Sequence, residues 1–307
     1  MPSEAPRQHI LDICKNRKKT LFEVKSKVKT MLQGEHPSHF VGLGIEYERT
    51  REYTFGDDYR RIEWSLTART PPKPDGDNTL FIKQYREEKN LNVLLILDQS
   101  GSMEYRDKVP TAVRLALVIS DLAQRRGDYV GLVSFRDKVE FFLPPAKSVE
   151  QAYRILSTLC RSYRAGGSSD LRAMSVEVSR VLRCRSIVNL ITDINHDTSD
   201  FTFFAQLMWA GGHMANVLLI ADESEINLPD VGWLTLTENE ELQKITIDTS
   251  ELKKEYDNEV RILLKNINAG CSHFGGKILL FKSPREVDNR IPKIAGLYRM
   301  AREGVYR

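Results

Sequence analysis

The chain has 307 residues, a formal net charge of +3 and a hydrophobic fraction of 41%. That length is enough to bury a sizeable core, as one large domain or two small ones. No apolar run approaches the roughly 18 residues a bilayer span needs. A pI near 8.5 is too mild to imply nucleic acid.

The opening Met1-Pro2-Ser3-Glu4-Ala5-Pro6 shows no charged leader before an apolar stretch, so no secretory signal is expected. These features argue against a secreted adhesin, a membrane protein, a coiled coil and a disordered chain. They favour a soluble, cytoplasmic, globular protein.

Residues 7–33 carry apolar side chains at helical spacing (Ile10, Ile13, Val24, Val28, Leu32) among many lysines, and Gly34 and Pro37 stop the pattern. This predicts a basic N-terminal helix within 1–37. Its basic face is either solvated or a dock for an acidic partner. Residues 38–90 alternate instead and predict a β-rich extension, with strands at Ile45–Arg49 and Leu80–Tyr85 and an exposed turn over 71–78.

From Leu91 strands and helices alternate. Strands are predicted at Val93–Leu97, Tyr129–Phe135, Ile187–Thr192, Val217–Ile220 and Ile278–Phe281, with a short hairpin edge at Val139–Leu143 and a β-hairpin over Trp233–Ile247. Helices are predicted from Pro110 to Arg126, from a capping box at Ser148-Val149-Glu150-Gln151 to near Cys160, after Asp170, from Ser199 to Trp209, from Ser250 to Asn268, and at the C-terminus. Such alternation implies a doubly wound, mostly parallel sheet over 91–307 with helices on both faces.

Open sheets of this kind bind ligands beyond the carboxyl ends of their strands. The first core strand ends in Asp98-Gln99-Ser100-Gly101-Ser102, one carboxylate and two hydroxyls on a tight loop. The strand at Ile187–Thr192 ends in Asp193, a second carboxylate. The loop Ala165-Gly166-Gly167-Ser168-Ser169-Asp170 adds a hydroxyl beside a glycine pair. Hard oxygens gathered in this way suit Mg²⁺ or Mn²⁺. Each residue alone would be an ordinary turn or cap; the weight lies in three such loops at strand ends.

Cys14, Cys160, Cys184 and Cys271 show no metal or redox spacing and read as small apolar residues in a reducing compartment. His36 and His39 read as solvated. His196, three residues past Asp193, reads as a loop residue.

The loops resemble the metal-ion-dependent adhesion site of von Willebrand factor A domains. Asp98, Ser100 and Ser102 fit its DxSxS, Asp193 fits its third-loop aspartate, and Ser169 stands where threonine is usual, keeping the hydroxyl and losing the methyl. Upstream, Gly44-Ile45-Glu46-Tyr47, Arg51-Glu52-Tyr53, Gly56 to Trp64 and Ala68-Arg69-Thr70 resemble the signature of the bacterial domain-of-unknown-function-58 family, with Glu63 where aspartate is expected. The resemblance implies a von Willebrand factor A-like domain with a small N-terminal extension. It also implies partnership with MoxR-type AAA+ ATPases.

Within the signature, Tyr53, Ile62 and Trp64 read as core anchors. Arg51, Arg60, Arg61 and Arg69 form either a structural ion-pair network or a partner-binding surface. Enzyme chemistry is not expected. There is no GxxxxGK[ST], Gly42-Leu43-Gly44 lacks the third glycine of a dinucleotide fingerprint, and Ser100 and Ser134 lack a nucleophile elbow. The resulting expectation is a metal-dependent protein-interaction module, an adaptor or co-chaperone of a MoxR-type ATPase or its client, with no nucleic-acid partner. The alternatives are a metal-dependent hydrolase of a phosphorylated substrate and a scaffold without a metal-dependent partner.

Overall fold

The computed structural model describes residues 5–32, 45–71, 79–87, 90–162, 166–229, 232–237 and 244–305. The stop at Gly34 and Pro37, the pair His36 and His39, the Gly42-Leu43-Gly44 run and residues 72–78 of the expected turn lie outside them. The chain divides into two compact units, one of residues 36–90 and one of residues 1–35 with 91–307.

The basic N-terminal segment forms two abutting helices, α1 (Ala5–Lys15) and α2 (Arg17–Leu32). Val24, Val28 and Leu32, at spacings of four, make the buried stripe of α2. These helices pack against helices of the larger unit.

The smaller unit holds β1 (Ile45–Glu52), a 3₁₀ turn (Tyr59–Arg61), α3 (Trp64–Arg69) and β2 (Phe81–Glu87). β1 and β2 pair antiparallel, with a register shift between Tyr47 and Arg49. Arg51 grips Asp57 with two nitrogens, each 2.7 Å from an oxygen. Arg61 reaches Asp58 at 3.7 Å, and Lys83 pairs with Glu63.

One expectation for this unit is corrected. Ile62 bridges to Ile82 as an extended residue, but α3 begins at Trp64, so Trp64 does not continue the strand to which Ile62 belongs. Trp64 is 64% exposed and Phe55 99% exposed.

The larger unit continues with β3 (Asn92–Asp98), a second 3₁₀ turn (Gly101–Glu104), α4 (Lys108–Arg125), β4 (Tyr129–Phe135), β5 (Val139–Ala146), α5 (Gln151–Ser162), α6 (Leu171–Val181), β6 (Ser186–Thr192), α7 (Thr198–Ala210), β7 (Met214–Ile220) and a one-turn helix α8 (Glu223–Ile226). A hairpin of β8 (Trp233–Thr237) and β9 (Lys244–Asp248) follows, then α9 (Thr249–His273), β10 (Lys277–Phe281), α10 (Pro284–Asn289) and α11 (Ile291–Val305).

The six-stranded sheet has the order β10-β7-β6-β3-β4-β5. All its pairings are parallel except β4 with the edge strand β5. β6 is buried at every position, as a strand covered on both faces must be. On one face Leu94, Ile96, Val188 and Leu190 meet Met174, Phe201, Phe204 and Ile267.

The proposed capping box does not form. Gln151 is wholly buried, and its amide donates to the carbonyl of Val130 at 2.7 Å rather than returning to the helix start. At the opposite end of the chain, Arg302 donates to both oxygens of buried Asp128, at 2.6 and 2.5 Å. Asp128 also accepts the Leu91 amide at 2.8 Å, so one carboxylate ties α11 to the entry of β3.

The cysteine reading is corrected in part. Cys14 on α1 and Cys160 on α5 form a disulfide, with Cα atoms 5.5 Å apart, because these helices lie against each other. Cys271 is buried as expected, and burial pushes its thiol up to about 12. Among the described residues, no helix is long and apolar enough to cross a membrane.

Two outcomes follow. Trp64→Ala should change stability by no more than about 0.5 kcal/mol, as surface substitutions do, whereas Leu190→Ala, in the packed sheet, should cost about 2–5 kcal/mol. Urea unfolding of both variants checks this, and a large loss in Trp64→Ala would show that the indole is packed. The disulfide spans a sequence separation of 146 residues, and a loop that long corresponds to roughly 4–5 kcal/mol in the loop-entropy description. Cys14→Ser should lower the unfolding free energy by up to that amount. Thiol titration of unreduced, denatured wild type should then find only Cys184 and Cys271 reactive.

Candidate functional site

The site lies where the sheet changes its winding direction. After β3 the chain moves to β4 and β5 on one side, then crosses over to β6 on the other. The ends of β3 and β6 therefore open into one crevice, the usual ligand position in open α/β sheets. Asp98 ends β3 and Asp193 follows β6; they are 2% and 1% exposed.

Each carboxylate is fully engaged. One oxygen of Asp98 accepts the Ser100 amide at 2.8 Å, which closes the loop after β3. The other accepts the Thr192 hydroxyl at 2.5 Å and lies 3.0 Å from His196 Nε2. Asp193 accepts the backbone and side-chain amides of Asn195 at 3.0 and 3.1 Å. Lys108 Nζ stands 3.2 Å from Asp193 and 2.5 Å from Glu225.

Lys108 is itself only 2% exposed. A buried ammonium of this kind persists because two carboxylates flank it. α8 holds Glu225 in place, since the second oxygen of Glu225 accepts the Asp222 amide at 2.8 Å in a capping box.

The hydroxyls converge on the same place. Ser100 Oγ and Ser102 Oγ are 3.0 Å apart, and the Ser102 hydroxyl favours the charged form of Asp193. Ser169 Oγ is 3.5 Å from His196 Nε2. The loop bearing Ser169 is set by Gly166 and Gly167, whose φ angles of +88° and +95° favour glycine. The Gly101 amide donates to Gly167 O at 2.9 Å, and Arg136 donates to Gly166 O at 3.0 Å. The first bond holds the glycine loop against the serine loop, and the second ties it to the end of β4.

The electrostatics follow from these contacts. Burial raises the Asp193 carboxyl, but Lys108, the Ser102 hydroxyl, Asn195 and His196 outweigh it, and the net shift is downward. Burial lowers His196, but hydrogen bonding and charge from Asp98, together with Asp193 and Asp200, outweigh it and hold the imidazole above its ordinary value. Burial raises Glu225, and Lys108 only partly offsets this.

The structure thus brings Asp98, Ser100, Ser102, Ser169 and Asp193 together. It places Arg51, Arg60, Arg61 and Arg69 in the smaller unit. Sequence reasoning missed Lys108, Thr192 and Glu225, and it undervalued His196. Lys108 could have been noticed as the cation that opens a largely apolar helix. Glu225 left no trace, because nothing in the sequence brings α8 near β6.

One donor atom each from Asp98, Asp193 and His196 lies within 4.8 Å of the others. Two carboxylates and three hydroxyls fit a small hard divalent cation, and the imidazole widens the fit toward Mn²⁺. Lys108 offsets part of the negative charge without removing the oxygens.

The chain is 26% identical over 230 residues to "Uncharacterized protein Rv1480" of Mycobacterium tuberculosis, covering 71% of this chain and 68% of that protein. A Mycobacterium bovis protein, Mb1516, matches to the same extent, 26% over 230 residues. Among solved structures, the conserved hypothetical protein BatB of Bacteroides thetaiotaomicron is 17% identical with a TM-score of 0.46, covering 67% of this chain and all of that one. The VWA domain of SpRpn10 is 10% identical with a TM-score of 0.38, covering 67% of this chain and 95% of that one.

The fold assignment stands on the strand order and on the loops after β3 and β6. The family profile described as "Protein of unknown function DUF58" matches residues 49–263, from the first unit's arginine-rich strand through both carboxylate loops into α9. The chain belongs to that DUF58 family, with a von Willebrand factor A-like domain.

Proposed function

We propose that this chain is a metal-dependent protein-interaction module that binds and does not turn over its partner. The observation that supports this reading is the meeting of Asp98, Asp193 and His196 with three serine hydroxyls at the switch point of the sheet. Asp98, Ser100, Ser102, Ser169 and Asp193 would hold Mg²⁺ or Mn²⁺, and His196 stands beside them. When bound, such a cation supplies a Lewis-acidic centre that prefers oxygen, and so favours a carboxylate from a partner.

The protein's own residues prepare the place. Thr192 and the Ser100 amide orient Asp98. Lys108 and Asn195 orient Asp193. The glycine pair brings Ser169 alongside His196.

The partner class implied by the family resemblance is a MoxR-type AAA+ ATPase or its client, with the chain acting as adaptor or co-chaperone. Without metal, Asp98 and Asp193 would repel an acidic contact, so metal and partner should bind cooperatively and reciprocally. Arg60 and Arg69, exposed in the smaller unit, are candidates for a second, salt-sensitive contact, with Arg51 and Arg61 held in ion pairs beside them.

Millimolar Mg²⁺ or Mn²⁺ should raise the melting temperature of the purified protein. A ligand that binds only the folded state, at 100 times its Kd, adds about 2.7 kcal/mol. Asp98→Ala should abolish the shift. An equal shift in that variant, or none in wild type, overturns the metal site.

Pull-down from the native cell should recover an AAA+ ATPase or its client in Mg²⁺ and lose it in chelator and in Ser100→Ala. Equal recovery in all three conditions would move the contact to the arginine-bearing unit, where high salt should weaken it. Turnover of phosphate esters that disappears in Asp98→Ala would favour the hydrolase instead.

A further inference from the structure

Away from the carboxylate crevice, a cavity of about 430 Å³ opens between the start of α2, the edge strand β5 and the outer face of α5. Its walls carry three guanidinium groups, Arg17, Arg154 and Arg161, together with Ser157 and the rings of Phe141 and Tyr153. Among the described residues no carboxylate lines it. Tyr153, Ser157 and Arg161 follow one another at intervals of four along α5, so they share a face of that helix.

Among the described residues these arginines have no acidic partner. Arg154 donates only to the neutral amide oxygen of Gln151, at 3.3 Å. Among the described residues neither Arg17, which is half-buried, nor Arg161, which is exposed, has an ion pair. Ser157 adds a second, independent sign, because its Oγ is buried and has no hydrogen-bond partner. A buried hydroxyl left unmatched costs free energy that a bound acceptor can recover.

Three like charges around one concavity raise its potential and attract an anion. Arginine's planar fork matches the oxygens of phosphate in particular. The described lining residues offer no acidic, histidine or cysteine ligand, so they do not suit a metal cation. The two aromatic rings beside the arginines suit a flat apolar group rather than a bare ion. The volume falls within the usual range for small-molecule sites, about 300–1,000 Å³.

The walls are also held together covalently. Arg17 lies three residues after Cys14, and Arg161 directly follows Cys160, the two halves of the disulfide. The disulfide ties α1, which leads directly into α2, to α5, a preorganisation that lowers the cost of binding.

We propose that this cavity binds a small organic phosphate, its phosphate held by Arg17, Arg154 and Arg161 and its organic part resting against Phe141 and Tyr153. The site is separate from the carboxylate crevice and does not depend on the metal reading.

Titration calorimetry of the full, oxidised chain at low salt tests it, with AMP, inorganic phosphate and adenosine as separate probes. AMP should bind at least tenfold more tightly than inorganic phosphate, and adenosine should give no heat. Arg17→Gln and Arg161→Gln should each weaken AMP at least tenfold while leaving the circular dichroism spectrum and melting temperature unchanged. Arg161→Lys should recover only part of the loss. No heat from AMP or phosphate at millimolar concentration overturns the proposal, as does equal AMP binding in wild type and both glutamine variants. Phosphate binding as tight as AMP overturns the organic part. Binding of a polyglutamate peptide without AMP binding overturns the small-molecule site and marks the face as a dock for an acidic protein segment.

Discussion

Two carboxylates lie almost wholly buried at the ends of neighbouring parallel strands, and much of the larger unit is arranged to tolerate them. Asp98 and Asp193 are 2% and 1% exposed. An isolated buried carboxylate is costly, so each needs donors and a nearby positive charge. Asp193 has buried Lys108, delivered by the first turn of α4. Asp98 has Thr192 and His196, delivered by the end of β6 and the loop after it. Each solution recruits a different element, so α4, α8, β6 and the glycine loop are all positioned by this one requirement.

Much of that arrangement was legible in the sequence, for identifiable reasons. β3 and β4 appear as short continuous apolar runs because a strand covered on both faces admits little else. Asp98, Ser100 and Ser102 come directly after β3 and Asp193 directly after β6, so locating the strands located the donors. Ser169 could be placed because two glycines precede it. What could not be read was anything set by contacts distant in sequence. Lys108 meets Glu225 across 117 positions, and Cys14 meets Cys160 across 146. Local spacing carries no record of either.

Two local readings failed because another contact competed successfully. Ser148 to Gln151 has the residue types of a capping box, yet the Gln151 amide serves the Val130 carbonyl on the sheet. A buried carbonyl without a partner would cost more than an exposed helix end, which water can satisfy. Trp64 follows Ile62 with strand spacing, but the helix beginning at Trp64 turns the indole outward. The aromatic residues of the smaller unit thus divide. Tyr53 is half-buried, whereas Phe55, Tyr59 and Trp64 face solvent, with Arg60 over the Tyr59 ring.

The disulfide between α1 and α5 also changes the connectivity of the molecule. With Cys14 joined to Cys160, all residues between them form a closed covalent ring. The whole smaller unit, residues 36–90, lies within that ring, as do β3, α4, β4 and β5. The carboxylate loop after β3 belongs to the ring, while Asp193 and His196 belong to the tail leaving it. A single backbone cut anywhere inside the ring would open it without separating any part from the rest. The smaller unit is thus attached to the larger at two independent covalent points, so it can lose one peptide bond and still be retained.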